Sequence, residues 1–169
     1  MTLREGLTAA LAAKTGGRVV QQSFGITMEE PKKLYWLLYS GQGSQAMDEK
    51  LTENTYDLPD GLEAFPKGAT SDAPVSEVVA VTLKEEVDID DFMAYQDTIT
   101  EAMKKEPAFR GIARSVPDRE ARTLWVIVGW QSKEAHMWWA GANGELLKRF
   151  GDSMHPKSGG MVHIPFTDL

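Results

Sequence analysis

The chain has 169 residues, 42% of them hydrophobic and 25% charged, with a net charge of −7. That length suits one domain, or two small joined halves, able to bury a core. The negative balance excludes nucleic acid and an anionic membrane surface as the main partner, and the lack of any cysteine excludes disulfides, thiolate nucleophiles and cysteine zinc sites.

The chain begins with "MTLREGLTAALAAK", which reads as a helix over 3–14 with Thr2 as N-cap and Glu5 completing a capping box. Glu5 interrupts the basic lead-in that a signal peptide needs. No apolar run approaches the roughly 20 residues that span a bilayer, so a cytoplasmic protein without membrane contact is expected. Next come "RVVQQSFGI", the turn "TMEEPKK" and the apolar run "LYWLLYS", a strand–turn–strand pattern. From Thr52 to Pro74 the chain is rich in Pro, Gly, Asp and Thr and reads as an ordered linker.

The clearest unit starts near Ser76. "SEVVAVTL" is a nearly continuous apolar run, as in a strand covered on both faces. A helix over 88–105 follows, with Asp88 as N-cap, Asp91 in the positive first turn and a Val87–Phe92 staple. Its apolar stripe runs Phe92, Tyr95 or Gln96, Ile99, Met103, and Pro107 stops it. "FRGIARSV" and "TLWVIVGW" form a hairpin through "PDREAR", and either Arg110 or Arg114 can pair with an acid. Ser132 caps a helix over 133–149, and "MVHIPF" is the last strand. The order β-α-β-β-α-β is that of a ferredoxin-like unit in an α+β fold.

Laid 90 residues apart, Leu34–Leu38 falls on Leu124–Val128 and Glu30 on Glu120. The N-terminal part therefore reads as a degenerate copy of the unit. The expected organisation is a degenerate half over 1–51, a linker over 52–75 and the full unit over 76–169. Strands that are apolar on both faces need helices on one side and a second sheet on the other. That points to a barrel-like pair of sheets within one chain, with a homodimer open as a further step.

"VAVTLKEEVDIDDF", "LWVIVGWQSKEAHMWW" and "MEEPKKLYWLLYS" together resemble the antibiotic-biosynthesis-monooxygenase type of the dimeric α/β-barrel superfamily, most of all its two-copy fungal members. The carrying motif is the strand ending in Trp130 followed by the capped helix of "W-x-S-x-E-A-H". The superfamily includes cofactor-free oxygenases of aromatic polyketides, haem-degrading oxygenases, polyketide cyclases, decarboxylating enzymes and members without known activity, so the fold alone does not select among them. The resemblance implies a cofactor-independent enzyme of specialised metabolism acting on an aromatic or polyketide-like small molecule, a mono-oxygenase first. A non-oxidative cyclase, isomerase or lyase is the alternative, and a non-catalytic binding or structural barrel is the rival class. No phosphate-cradling loop, metal-binding His–Glu helix or nucleophile elbow is present, so neither cofactor nor metal is expected.

The site candidates lie around "EAHMWWAGANGE". Stepping about 100° per residue along a helix puts Ala135, Trp139, Ala142, Leu146 and Phe150 on one buried face. Trp138 then packs on one flank and His136 stands at the rim, beside Trp139 and Asn143. At the rim His136 is either a general base, with a pKa near working pH, or a structural histidine. His163 alternates with Val162 and Ile164, so it lines either the pocket or the sheet–sheet interface. The expected catalytic set is His136, Tyr95 and His163; Trp139, Trp130, Asn143 and Trp36 are the expected substrate contacts. Asn143-Gly144 also marks a potential break in the helix, and small residues there would open space for a ligand.

Overall fold

The computed structural model describes residues 5, 19–31, 33–40, 65–156 and 158–168. The expected N-terminal helix, apart from a helical Glu5, and the linker up to residue 64 lie outside them. The elements in chain order are β1 (Val19–Ile26), β2 (Leu34–Ser40), β3 (Val75–Thr82), α1 (Ile89–Met103), β4 (Phe109–Arg114), β5 (Thr123–Trp130), α2 (Lys133–Ala142), α3 (Gly144–Ser153), β6 (Met161–Ile164) and β7 (Thr167–Asp168).

Strands β3 to β6 form an antiparallel sheet in the order β4-β5-β3-β6, the ferredoxin-like arrangement that the pattern predicts. Its local signals are in place. The Asp88 carboxylate accepts from the amides of Asp90 and Asp91, and Ser132 accepts from that of Ala135. These bonds satisfy N–H groups that the first helical turns leave free. Asp118 likewise accepts from the amides of Glu120 and Ala121 in the β4–β5 turn. Arg114 pairs with Asp97 at 2.6 Å.

Alternation along β3 divides the core in two. Val75, Val79 and Val81 meet Phe92, Ile99 and Met103 of α1 and Trp139 of α2 on the helix side. Val78, with Ala113, Ile127 and Ile164, meets Leu37 and Tyr35 of the second sheet on the other. That second sheet has the order β2-β1-β7. Both faces of the central strands are thus covered, as their apolar character requires.

Three features depart from the expectations. The last strand does not run through "MVHIPF": β6 stops at Ile164, and the chain crosses at Pro165–Phe166 to pair as β7 with β1 in the other sheet. Proline cannot donate to a ladder, which places the crossing there. The helix expected over 133–149 is two helices, broken where Asn143 takes φ −114° and ψ 27° and its amide side chain donates to the Trp139 carbonyl. Trp138 does not pack; it is 68% exposed. The end of the linker, by contrast, is a plug. Ala69 and Thr70 are fully buried, and the Gly68 carbonyl lies so close to β5 that a Cβ on Gly129 would stand 1.9 Å from it.

Candidate acid–base site

His136 and His163, 27 residues apart, are in direct contact on the helix side of the larger sheet, with Nδ1 of His136 2.8 Å from Nε2 of His163. Register explains the position of His163, which stands opposite Glu77 on β3 and so shares its face. Glu77 is in phase with Val75, Val79 and Val81, so a carboxyl sits in a row of buried valines. His136 comes from the first turn of α2, directly after the Ser132 cap. Both imidazoles are buried, at 3% and 1% exposure.

The contact extends in both directions. Nε2 of His136 lies 3.3 Å from Oε2 of Glu77, which also accepts from the Trp130 indole N–H at 3.3 Å. At the other end, Nδ1 of His163 lies 2.6 Å from Oε1 of Glu29, and Lys133 pairs with the same oxygen at 2.7 Å. Glu29 belongs to the β1–β2 turn, which docks on the outer edge of β6: the His163 amide donates to Glu29 Oε2, and the Met28 amide donates to the His163 carbonyl. The turn thereby satisfies backbone groups that an edge strand leaves open. A line of close polar contacts, Lys133–Glu29–His163–His136–Glu77–Trp130, runs from a half-exposed ion pair to the core. Trp130 stacks on His136 at 5.1 Å between centroids, and Trp139 lies against Trp130 at 5.5 Å.

The electrostatics follow burial. Desolvation pushes the Glu77 carboxyl up to about 7, against the pull of the Trp130 hydrogen bond. Desolvation, and then the neighbouring His163, lower His136 to about 4. Both groups are driven toward their neutral forms. Partial burial would raise Glu29, but the His163 amide, Lys133 and the His163 ring together hold it at about 2. His136 is therefore not a rim residue titrating near working pH: α2 turns it inward onto Trp130 and Glu77, and the loss of water depresses its pKa.

Of the residues expected at a site, His136, His163, Trp130 and Trp139 come together. His163 faces the helices, not the sheet–sheet interface. Tyr95 is placed apart. Its hydroxyl donates to the Leu146 carbonyl at 2.5 Å, and the Arg149 guanidinium lies 4.3 Å above its ring. Trp36 lies on β2 of the other sheet, between Tyr35 and Leu37, which face the inter-sheet core. Asn143 lines an open depression of about 470 Å³ at the α2–α3 break, formed by residues 141–146. Glu29, Glu77 and Lys133 were missed. For Glu77 a signal was available, because its spacing from Val79 and Val81 put a charge on a buried face. For Glu29 and Lys133 none was. Among the described residues, no group of three or more His, Asp or Glu is arranged to hold a metal ion, and no helix is long and apolar enough to cross a membrane.

No protein-family model matches the sequence, and no curated protein does. Solved structures match over nearly the whole chain at low identity. The haem-degrading enzyme LmHde of Listeria monocytogenes has a TM-score of 0.56 at 16% identity, over 95% of this chain and 94% of its own. A ferredoxin-fold protein of Listeria monocytogenes 4b F2365, related to antibiotic biosynthesis monooxygenases, has a TM-score of 0.51 at 16% identity, over 97% and 90%. A monooxygenase-like protein of Listeria innocua has a TM-score of 0.53 at 10% identity, over 96% and 88%. At these identities the shared property is the fold, a ferredoxin-like α+β architecture.

Proposed function

We propose that this chain is a cofactor-independent enzyme acting on an aromatic or polyketide-like small molecule, with the His136–His163 pair as its acid–base group. The observation that carries the reading is the pair itself: two buried imidazoles in direct hydrogen bond, one of them 2.6 Å from the Glu29 carboxylate and the other 3.3 Å from the Glu77 carboxyl. Burying so many polar groups in a small core costs stability unless all are paired, and such clusters concentrate where proton transfer is required. Trp130 and Trp139 are the proposed aromatic walls. Asn143, at the α2–α3 break, is the proposed polar contact at the mouth, with Tyr95 behind it through Leu146. Trp36, on the other sheet, is a further proposed contact. The fungal two-copy ancestry belongs to this proposal too, since the N-terminal hairpin supplies a sheet and a site residue.

In the oxygenase version the pair removes a phenolic proton and the resulting carbanion combines with O₂. In the non-oxidative version the same groups promote cyclisation, isomerisation or elimination. The rival reading, a non-catalytic barrel, draws on a different observation: Trp130 and Trp139 pack where a ligand would lie, at 0% and 4% exposure.

The test is turnover of candidate phenols and polyketides with and without oxygen. Oxygen uptake marks the first version, and strictly anaerobic turnover marks the second. His136→Ala is expected to lower turnover about 10²–10⁴-fold, the usual contribution of a general base. Full activity in that variant rejects the assignment of His136, and no turnover under either atmosphere favours the rival.

A further inference from the structure

We infer that Glu77, His136, His163 and Glu29 form a proton-conducting line, in which Glu77 holds a proton under α2 and Glu29 of the N-terminal hairpin sets the tautomer of both histidines. The inference rests on the same site as the acid–base reading, but it concerns where the protons sit in the resting protein.

The order of polar contacts fixes those positions. Glu29 is tied to Lys133 at 2.7 Å and accepts from the His163 amide, so it is an ionised acceptor. Nδ1 of His163, 2.6 Å away, must therefore carry a proton. If His163 is neutral, its Nε2 is bare and accepts from Nδ1–H of His136 at 2.8 Å. Nε2 of His136 is then bare as well, and the Glu77 carboxyl, 3.3 Å away among the described residues, can serve it as a donor only when protonated. The two hydrogen bonds and the Glu77–His136 approach then each hold one hydrogen, and no net charge lies in the dry end of the line.

A second arrangement has the same number of protons. The Glu77 O–H bond breaks as an N–H bond forms on Nε2 of His136. The Nδ1–H bond of His136 breaks as an N–H bond forms on Nε2 of His163. Glu77 is left as a carboxylate held by the Trp130 indole N–H, and His163 becomes an imidazolium beside ionised Glu29. Two short proton shifts thus move a unit of charge from the core to the hairpin without water entering. Releasing the Nδ1 proton of His163 to Glu29, whose side chain is 30% exposed, completes the path to solvent. The charged groups facing the line are Glu29 from the β1–β2 turn, Lys133 and Glu134 from α2, Glu77 from β3 and the two histidines. The first arrangement is the resting one, because it separates no charge in the interior.

Two spectroscopies on the intact protein test the line. Infrared spectroscopy at neutral pH should show a protonated-carboxyl C=O band that disappears in Glu77→Gln. Nitrogen NMR should show both histidines as neutral Nδ1–H tautomers. Glu29→Ala removes the acceptor at the far end. It should turn both rings to Nε2–H, so that His136 donates to Glu77, and lower the midpoint of the carboxyl band by about one pH unit or more. Tautomers unchanged in Glu29→Ala, or no carboxyl proton in the wild type near neutrality, overturn the inference. Should Glu77→Gln fail to fold, the pH titration of the band in the wild type still decides. Tautomers as stated in a protein that turns nothing over leave the line standing and remove the enzyme. Turnover with Nε2–H histidines does the reverse.

Discussion

At Glu77 a carboxyl occupies a strand position whose neighbours in phase are Val75, Val79 and Val81, and burial raises its pKa from 4.5 to about 7. The folded chain therefore binds this proton more tightly than the unfolded chain. Its stabilising contribution is complete below 4.5 and is lost as pH rises through about 7. His136 acts in the opposite sense. Burial, and then His163, lower it from 6.5 to about 4, so its contribution is complete above 6.5 and is lost as pH falls through about 4. Glu29, lowered from 4.5 to about 2, adds a loss below 4.5. Between 4.5 and 6.5 the slopes of Glu77 and His136 oppose each other. Urea midpoints measured across pH should show a plateau there, with a fall on both sides. In Glu77→Gln the alkaline fall should vanish, leaving stability that rises with pH until His136 is neutral in both states. A wild-type curve that keeps climbing beyond neutrality would contradict the buried carboxyl.

Among the elements, glycines in two different settings give substitutions of opposite sign. Gly129 on β5 faces the plug, where a Cβ would stand 1.9 Å from the Gly68 carbonyl and 2.8 Å from Ala73. Backbone cannot retreat as a side-chain tip can, so Gly129→Ala is expected to destabilise by at least about 1–3 kcal/mol. Gly141 lies inside α2, and a Cβ there meets nothing within 4 Å. Gly141→Ala should stabilise by about 1 kcal/mol, through the lower backbone entropy of the unfolded chain. Thermal melting of the pair checks both signs. Because Gly141 also lines the open depression, a Gly141→Ala protein that is more stable yet binds its ligand less well would place the mouth at the α2–α3 break.

For the molecule as a whole, the inter-sheet core decides whether the C-terminal unit can stand alone. Val78, Ala113, Ile127 and Ile164 of that unit are covered by Leu37, Tyr35 and Ala69, and β7 closes the second sheet only by pairing with β1. A fragment beginning at Ser76 should expose this face and dimerise or aggregate. Sedimentation of a soluble monomeric fragment would show that the N-terminal sheet is dispensable cover. The same fragment lacks Glu29, so His163 loses its acceptor together with the hairpin that caps the β6 edge.

Local sequence determined what local chemistry can determine. Asp88 and Ser132 are caps because their side chains reach amides two or three residues on, and the helix–strand order follows from apolar periods that each segment carries within itself. The two-sided apolar character of β3 and β5 even required a second sheet before its strands were placed. Contacts between distant segments were beyond its reach. That His136 meets His163 depends on the register of β6 against β3 and on how far α2 turns over the sheet, and neither is written in a nearby residue. Trp138 and Trp139 are adjacent, yet one is exposed and the other in the core, because the packing of α2 fixes an azimuth that spacing gave only approximately. Glu29 joined the site through a turn whose sequence signals only a turn. A carboxyl's role as ion-pair partner, tautomer setter or buried acid depends on what the fold brings within 3 Å or so of it, and only the tertiary structure supplies those neighbours.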